Sequence, residues 1–232
     1  MNTVAINFNG TCYTNHGNIL NTLSAMTITA WFKVATTGLY GRIVSKEHPT
    51  GSVSGWYIGL NGANRVDFGL LSGGTYNITG NTNITPGVKH FVCAWYDGAH
   101  IRIFLDGADD APGGGPSATG TASNTDPFCI GCQSFAFGSI FPGIIEDVRF
   151  YNRCLNEEGI RSLYQAQGGD RNVFGLQGRW KLNEGYSGQS TIHRIMDSGG
   201  GNAYNGYVVA APTRGTYVDQ LVRSRSTILS GD

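Results

Sequence analysis

The feature that most constrains this chain is a two-residue rhythm of apolar side chains that recurs along most of its length. From Thr27 to Val34, the residues Ile28, Ala30, Phe32 and Val34 fall on one face. From Arg65 to Leu70, Val66, Phe68 and Leu70 alternate with polar Arg65 and Asp67. Ile101, Ile103 and Leu105 repeat the pattern. Side chains share a face at every second residue only in an extended strand, so each segment predicts a strand with one buried face. The segment from Lys89 to Tyr96 is apolar on both faces, with Phe91, Cys93 and Trp95 on one and Val92, Ala94 and Tyr96 on the other. Such a strand belongs in the middle of its sheet, covered on both sides. Tyr96-Asp97-Gly98-Ala99 reads as a hairpin link, and Asp106-Gly107 opens the next turn. Further strands are expected at 128–131, 143–151, 177–182, 207–211 and 217–229. Seven or more short strands with turn signals between them predict an all-β chain folded as a two-sheet antiparallel sandwich.

Composition agrees. Charged residues make up 14% of the chain and glycine contributes 35 residues, which suits tight turns and argues against long surface helices. One short helix is expected near 156–165. Asn156 supplies an N-cap, Glu157 and Glu158 suit the first turn, and Ile160, Leu163 and Tyr164 form an apolar stripe. Residues 107–126 are rich in Gly, Pro, Ser, Thr and Asp and read as a long loop. The formal net charge is zero, which argues against nucleic-acid binding by bulk electrostatics. Residues 1–170 carry nine Lys/Arg against twelve Asp/Glu, and residues 171–232 carry seven against four. A basic tail on an acidic body fits docking on the body or on a neighbour, and it fits a chance distribution equally well. No apolar run reaches the ~20 residues of a membrane span, so no membrane insertion is expected. The first ten residues alternate and lack a basic start, so no secretory leader is expected. Five cysteines in that context read as reduced thiols.

Three segments then carry a family resemblance. Ile28-Thr29-Ala30-Trp31-Phe32-Lys33, the hairpin Trp95-Tyr96-Asp97-Gly98 with Ile101-Arg102-Ile103-Phe104-Leu105-Asp106-Gly107, and Gly143 through Leu155 follow one another in the order found in laminin-G-like domains. The chain resembles that group of the concanavalin A-like lectin/glucanase superfamily, as also found in bacteriophage structural proteins. The resemblance implies a jelly-roll sandwich of the concanavalin type. Leu176-Gln177-Gly178-Arg179-Trp180-Lys181-Leu182, followed by Asp197-Ser198-Gly199-Gly200-Gly201-Asn202, resembles the segment that usually opens such a domain. At this position it either folds back as a permuted first strand or pairs with an adjacent subunit, and the fold-back is favoured. The expected organisation is a sandwich over 1–170, a segment at 171–211 that completes it, and an extended arm at 212–232.

The superfamily includes glucanases, whose retaining mechanism needs two carboxylates about 5 Å apart on one strand face. Glu146 and Asp147 are adjacent, and strict alternation sends them to opposite faces. The chain is therefore expected not to be an enzyme. Alternation also places Glu146 with Ile144, Val148 and Phe150, a carboxylate on an apolar face that is either hydrogen-bonded in place or binds a ligand. Calcium is bound in pentraxin-like relatives by a loop before the last core strand. The matching stretch here, Gly131 to Phe137, offers only Gln133 as a ligand, far short of the six to eight oxygens calcium takes. The family site therefore looks lost and no cofactor is expected; Asp109, Asp110 and Asp126 could form another, but they read first as solvated loop acids. Cys129 and Cys132 lack the second ligand pair that structural zinc requires and read as small apolar residues, so no metal site is expected. Tyr40, Trp56, Tyr57 and Tyr76 lie near turns or strand ends, where rings can stack on a sugar; for Trp56 and Tyr57 the competing reading is plain alternation between core and surface.

The weak ligand-binding candidates are thus Tyr40, Trp56, Tyr57, Tyr76, Gln133 and Glu146. The favoured functional expectation is a non-catalytic virion protein of a bacteriophage, a capsid decoration or tail component assembled in the host cytoplasm. It would associate with itself and with other virion proteins, and it could also hold a glycan. The alternative is a monomeric carbohydrate-binding lectin module.

Overall fold

The computed structural model describes residues 6–8, 10, 12–21, 24–38, 40–48, 53–72, 74–120, 124–169, 172–182, 194–195, 197–198 and 204–210. In chain order the strands are β1 (Ile6–Asn7), β2 (Cys12–Asn15), β3 (Met26–Val34), β4 (Gly41–His48), β5 (Ser54–Leu60), β6 (Val66–Ser72), β7 (Thr75–Thr79), β8 (His90–Tyr96), β9 (Ile101–Leu105), β10 (Ala108–Asp109), β11 (Cys129–Ile130) and β12 (Gly143–Tyr151). Helix α1 (Glu157–Ala166) follows, then β13 (Leu176–Trp180), β14 (Arg194–Ile195) and β15 (Gly206–Ala210). The expected strand at 217–229 and the expected arm at 212–232 lie outside the described residues.

The strands form two antiparallel sheets. Sheet A runs β1-β12-β3-β8-β9-β10, and β13 also pairs with β12. Sheet B runs β14-β15-β2-β11-β4-β5-β6-β7. Alternation explains how they stack. Ile28, Ala30 and Phe32 of β3, Val92, Ala94 and Tyr96 of β8, and Ile101 and Ile103 of β9 face Trp56 and Ile58 of β5 and Phe68 and Leu70 of β6, all in one core. Burying each large apolar side chain contributes roughly 1.5–3 kcal/mol. The two-faced segment is β8, central between β3 and β9 as its pattern requires. Its other face, with Phe91 and Cys93, joins Trp31, Phe104 and Tyr151 under Ile160 and Leu163 of α1. The helix starts because the Asn156 side chain accepts a hydrogen bond from Gly159 N–H. The outward face of sheet A is thus roofed by α1, and among the described residues no such helix covers sheet B.

The first described strand and β13 meet at β12. On the flank away from β3, Ile6 and Asn7 pair with Ile145 and Ile144, and β13 pairs with the half from Val148 to Tyr151. Ile6 N–H donates to Leu182 O at 3.0 Å, joining the two pieces end to end. Trp180, fully buried, packs against Phe128 with ring centroids 4.8 Å apart and the rings tilted by 42°. β15 pairs with β2 in sheet B.

Two bulges break the strict rhythm. In β12 the register shifts between Glu146 and Arg149, where Asp147 takes a left-handed backbone with φ 47°. Ile145, Val148 and Phe150 enter the core, and Glu146 pairs in register with Trp31 of the outward cluster. This corrects the sequence expectation twice. Glu146 does not share a face with Val148 and Phe150, and Asp147 does not turn to the opposite side. Asp147 instead accepts from Arg149 and from Arg179 of β13, and Arg179 also donates to Gly168 O just past α1. In β4 the shift lies between Arg42 and Val44. Ile43 and Val44 both enter the core, so Arg42 ends on the same face as Ser45 and Glu47.

The long loop predicted over 107–126 begins with β10 and then runs along β9. Gly115 N–H donates to Ile101 O and Ala118 N–H to Ala99 O. Tyr96 Oη donates to Gly120 O at 2.7 Å. All five cysteines are free thiols, and Cys129 and Cys132 pack as apolar groups beside Tyr13.

Candidate functional site

The outward face of sheet B gathers the polar and aromatic groups that the core does not use. Its rows follow from the strand register. Ser45, Tyr57, Gly69 and Asn77 stand in line across β4 to β7. Beside them run Arg42, Gly59, Asp67 and Thr79, and on the other side Glu47, Gly55, Leu71 and Thr75. Three glycines therefore surround Tyr57. The close approach is clearest at Gly69, where an added Cβ would collide with Cε1 and Cζ of the Tyr57 ring. Only hydrogen at that position lets the ring lie down on the sheet.

A guanidinium is fixed on top of that ring. Arg42 Cζ sits 3.6 Å from the Tyr57 ring centroid, a cation–π contact. Arg42 Nε donates to Glu47 Oε1 at 2.7 Å and Nη2 donates to Oε2 at 3.2 Å. The Glu47 side chain is 1% exposed and that of Arg42 16%, so a nearly buried carboxylate holds a partly open cation in a fork geometry. Among the described residues, Arg42 Nη1 has no partner. Tyr57 Oη donates to Asn77 Oδ1 at 3.3 Å, which leaves the exposed Asn77 amide directed by a fixed hydroxyl. Asp67 accepts from the Asn61 amide at 3.0 Å. Burial raises the Tyr57 phenol above 10.0; Arg42 lowers it, and Asp67 and Glu47 raise it further. The phenol therefore remains a hydrogen-bond donor at neutral pH.

The second half of the face is apolar and is built by the loop between β11 and β12. Gln133 N–H donates to Gly138 O, closing a turn whose tip is Phe135-Ala136-Phe137. Ser134 rivets the loop to β4: its N–H donates to Ser45 Oγ, its hydroxyl donates to Glu47 O, and it accepts from Glu47 N–H. Phe137 and Ser139 take left-handed backbones, with φ 51° and 44°, a strained conformation for residues with side chains. In that pose the Phe137 ring lies on Tyr13 at 5.2 Å, 12° from parallel, and stays 38% exposed. Tyr207 of β15 is 42% exposed, two residues from Val209, which pairs in register with Tyr13. Phe135 meets His48 edge-on at 4.5 Å.

The sequence candidates separate on this frame. Tyr57 is at the centre of the polar half. Tyr40, two residues before Arg42, lies over Gly62 and is 67% exposed. Gln133 is half-buried at the base of the Phe137 loop. Trp56 points into the core and is fully buried, and half-buried Tyr76 packs inward. Glu146 is on the other sheet, paired with Lys89. Asp109, Asp110 and Asp126 are held separately, by Arg102, Thr82 and His48. Among the described residues, no three His, Cys, Asp or Glu side chains converge as a metal site would require. Arg42, Glu47, Asn77, Tyr13 and Phe137 were not foreseen. The β4 bulge hides the Arg42–Glu47 pairing from any reading by strict alternation.

The family profile described as the concanavalin A-like lectin/glucanases superfamily matches residues 8–161. The chain belongs to this superfamily. Among curated proteins it is similar to adhesion G-protein coupled receptor V1 of Danio rerio, 31% identical over 150 residues, which is 61% of this chain and 2% of the receptor. The chain thus spans a small fraction of that relative. Among solved structures it resembles a candidate carbohydrate-binding protein of Bacteroides ovatus, with a TM-score of 0.64 and 17% identity, over 87% of this chain and 58% of that one. It also resembles the CBM40 module of a Ruminococcus gnavus IT-sialidase bound to alpha2,3 sialyllactose, with a TM-score of 0.51 and 14% identity, over 63% of this chain and 84% of that one. Both structural likenesses are likenesses of fold: two antiparallel sheets in a lectin-like sandwich.

Proposed function

We propose that this member of the superfamily is a non-catalytic glycan-binding module, and that the outward face of sheet B is where a saccharide lies. One observation carries the reading. The same face holds a ring with one side open, Phe137 flat on Tyr13, and a fixed guanidinium with donors to spare, Arg42 on Glu47. A pyranose presents an apolar face and a rim of hydroxyls, and recognition needs a flat ring for the first and oriented donors and acceptors for the second. Asn77 and Asp67 extend the hydrogen-bonding side. The two structural neighbours, one a candidate carbohydrate-binding protein and the other solved with a bound sialyl sugar, support the reading by analogy of fold.

The absence of catalysis belongs to the same proposal. Glycoside hydrolysis needs one carboxylic acid able to give a proton and one free carboxylate. Here both oxygens of Glu47 accept from Arg42, both oxygens of Asp147 accept from arginines, and Glu146 is paired with Lys89. A second reading keeps the virion setting, with the sandwich associating with copies of itself and with other virion proteins. It is favoured by the long edge of β7, which ends sheet B without a neighbour among the described residues. Finding the chain by mass spectrometry in purified particles supports that setting, and its absence from them removes it.

A glycan array probed with the whole protein, followed by calorimetry on the best ligand, tests the main reading. Phe137→Ala is expected to weaken binding by roughly tenfold, since one ring-stacking contact is worth about 1–1.5 kcal/mol. Its fold stays intact because the ring is at the surface. Retention of full affinity by Phe137→Ala, or release of new reducing ends from the bound glycan, removes the proposal.

A further inference from the structure

The edge of sheet B at β7 has features that natural edge strands usually avoid. An exposed edge offers unpaired N–H and C=O groups, and proteins normally blunt it with lysine, proline, a bulge or a very short strand. The other sheet ends are blunted in this way: β10 and β14 have two residues each, and β1 and β13 share one flank in two pieces. β7, by contrast, runs five residues, Thr75-Tyr76-Asn77-Ile78-Thr79, in unbroken register with β6. It contains no charge and no proline.

The direction of its free groups follows from the bonds at its ends. Gly80 N–H donates to Val66 O, and Ser72 N–H donates to Gly74 O. In an antiparallel ladder, pairs that exchange hydrogen bonds alternate with pairs that do not. The bonded pairs with β6 are therefore Ile78 with Phe68 and Tyr76 with Leu70. The N–H and C=O groups of Thr75, Asn77 and Thr79 point away from β6, toward the open edge. Their side chains are all exposed on the outward face. Among the described residues, no backbone group outside sheet B bonds to them.

This edge is complementary to itself. The geometry points to a second copy of the chain as its partner, paired β7 to β7 in antiparallel fashion about a twofold axis through Asn77. Asn77 then faces Asn77 of the other copy, and Thr75 faces Thr79. Each of these residues has both backbone groups directed at its mate, so every pair exchanges both of its hydrogen bonds. Threonine opposite threonine and amide opposite amide are favourable cross-strand pairs, and no like charges meet. The interface is isologous, as closed dimers require. The two B sheets become one continuous sheet with both outward faces on the same side. Asn77 is common to this edge and to the proposed glycan face, and the substitutions that test the dimer, at Thr75 and Thr79, leave Asn77, Arg42 and Phe137 in place.

Light scattering on the whole protein in solution tests it. Wild type is expected at twice the monomer mass of 24.8 kDa. Thr75→Lys with Thr79→Lys sets lysine against lysine across the axis and is expected to abolish the dimer. Thr75→Lys with Thr79→Glu sets lysine against glutamate and is expected to restore it. A folded wild type that stays monomeric up to about 100 µM, a concentration at which association of even ~5 kcal/mol is visible, overturns the inference. So does a dimer indifferent to the paired lysines, or a failure of the lysine–glutamate pair to bring it back.

Discussion

His16 shows how one buried side chain sets a pH response. It sits under the aromatic cluster, 5.3 Å from Phe128 and 5.2 Å from Trp180 by ring centroids. Its Nδ1 is 3.3 Å from Tyr204 O and its Nε2 2.9 Å from Thr14 Oγ1. A carbonyl only accepts, so Nδ1 carries the proton and Nε2 accepts from threonine. Burial pushes the imidazole down from 6.5 to about 3, and the Tyr204 carbonyl offsets only part of this. The unfolded chain takes up a proton below 6.5 that the fold refuses. Stability from this group is therefore complete above pH 6.5 and is lost as the pH falls toward 3. Between pH 6.5 and 5 the wild type is expected to lose about 2 kcal/mol more than His16→Gln in urea titrations. Arg42 gives a second outcome at this scale. Arg42→Ala strands the nearly buried Glu47 carboxylate, and the expected loss is about 3 kcal/mol by denaturant melts. Arg42→Gln leaves a hydrogen-bond donor for Glu47 and is expected to lose less. Gly69→Ala pushes its Cβ into the Tyr57 ring; a cost of about 1–3 kcal/mol and weaker glycan binding are expected together.

Elements divide into those the sequence announces and those it conceals. Strands β3, β6, β8 and β9 stand where the alternation of Ile28, Phe68, Val92 and Ile103 places them, because each has to bury at least one face and has no bulge to disturb it. Helix α1 begins where Asn156 caps it, and Asn156→Ala is expected to cost about 1 kcal/mol in thermal melts. The candidate site was less legible. Its charged half depends on the β4 bulge, which carries Arg42 to the side of Glu47, and β12 hides Asp147 in the same way. A bulge inserts one residue into the count and reverses the facing of everything beyond it. Nothing in the side chains of Ile43 and Val44 marks it. The aromatic half depends on Phe137, whose left-handed backbone lies in the loop that Ser134 ties to β4 and has no local sequence signal. Tyr57 was legible because its neighbours alternate cleanly, and so was the burial of Trp56 as the other half of that alternation.

For the whole molecule, the division of labour follows from what covers each sheet. Sheet A spends its outward face on α1; sheet B keeps its own for the ring of Phe137 and the guanidinium of Arg42. The lateral seat beside β12 is taken by Ile6–Asn7 at one end and by Leu176–Trp180 at the other, and Trp180 and Leu182 reach the core from there. A chain stopped after Gly169 lacks both side chains. Loss of a buried tryptophan alone costs about 3–5 kcal/mol, a large part of the ~5–15 kcal/mol that holds a domain. That shortened chain is expected to show no cooperative melt by circular dichroism. During synthesis the same arrangement fixes an order of events: the first strand leaves the ribosome long before its companion on that seat, and the seat is filled only once translation has passed Leu182.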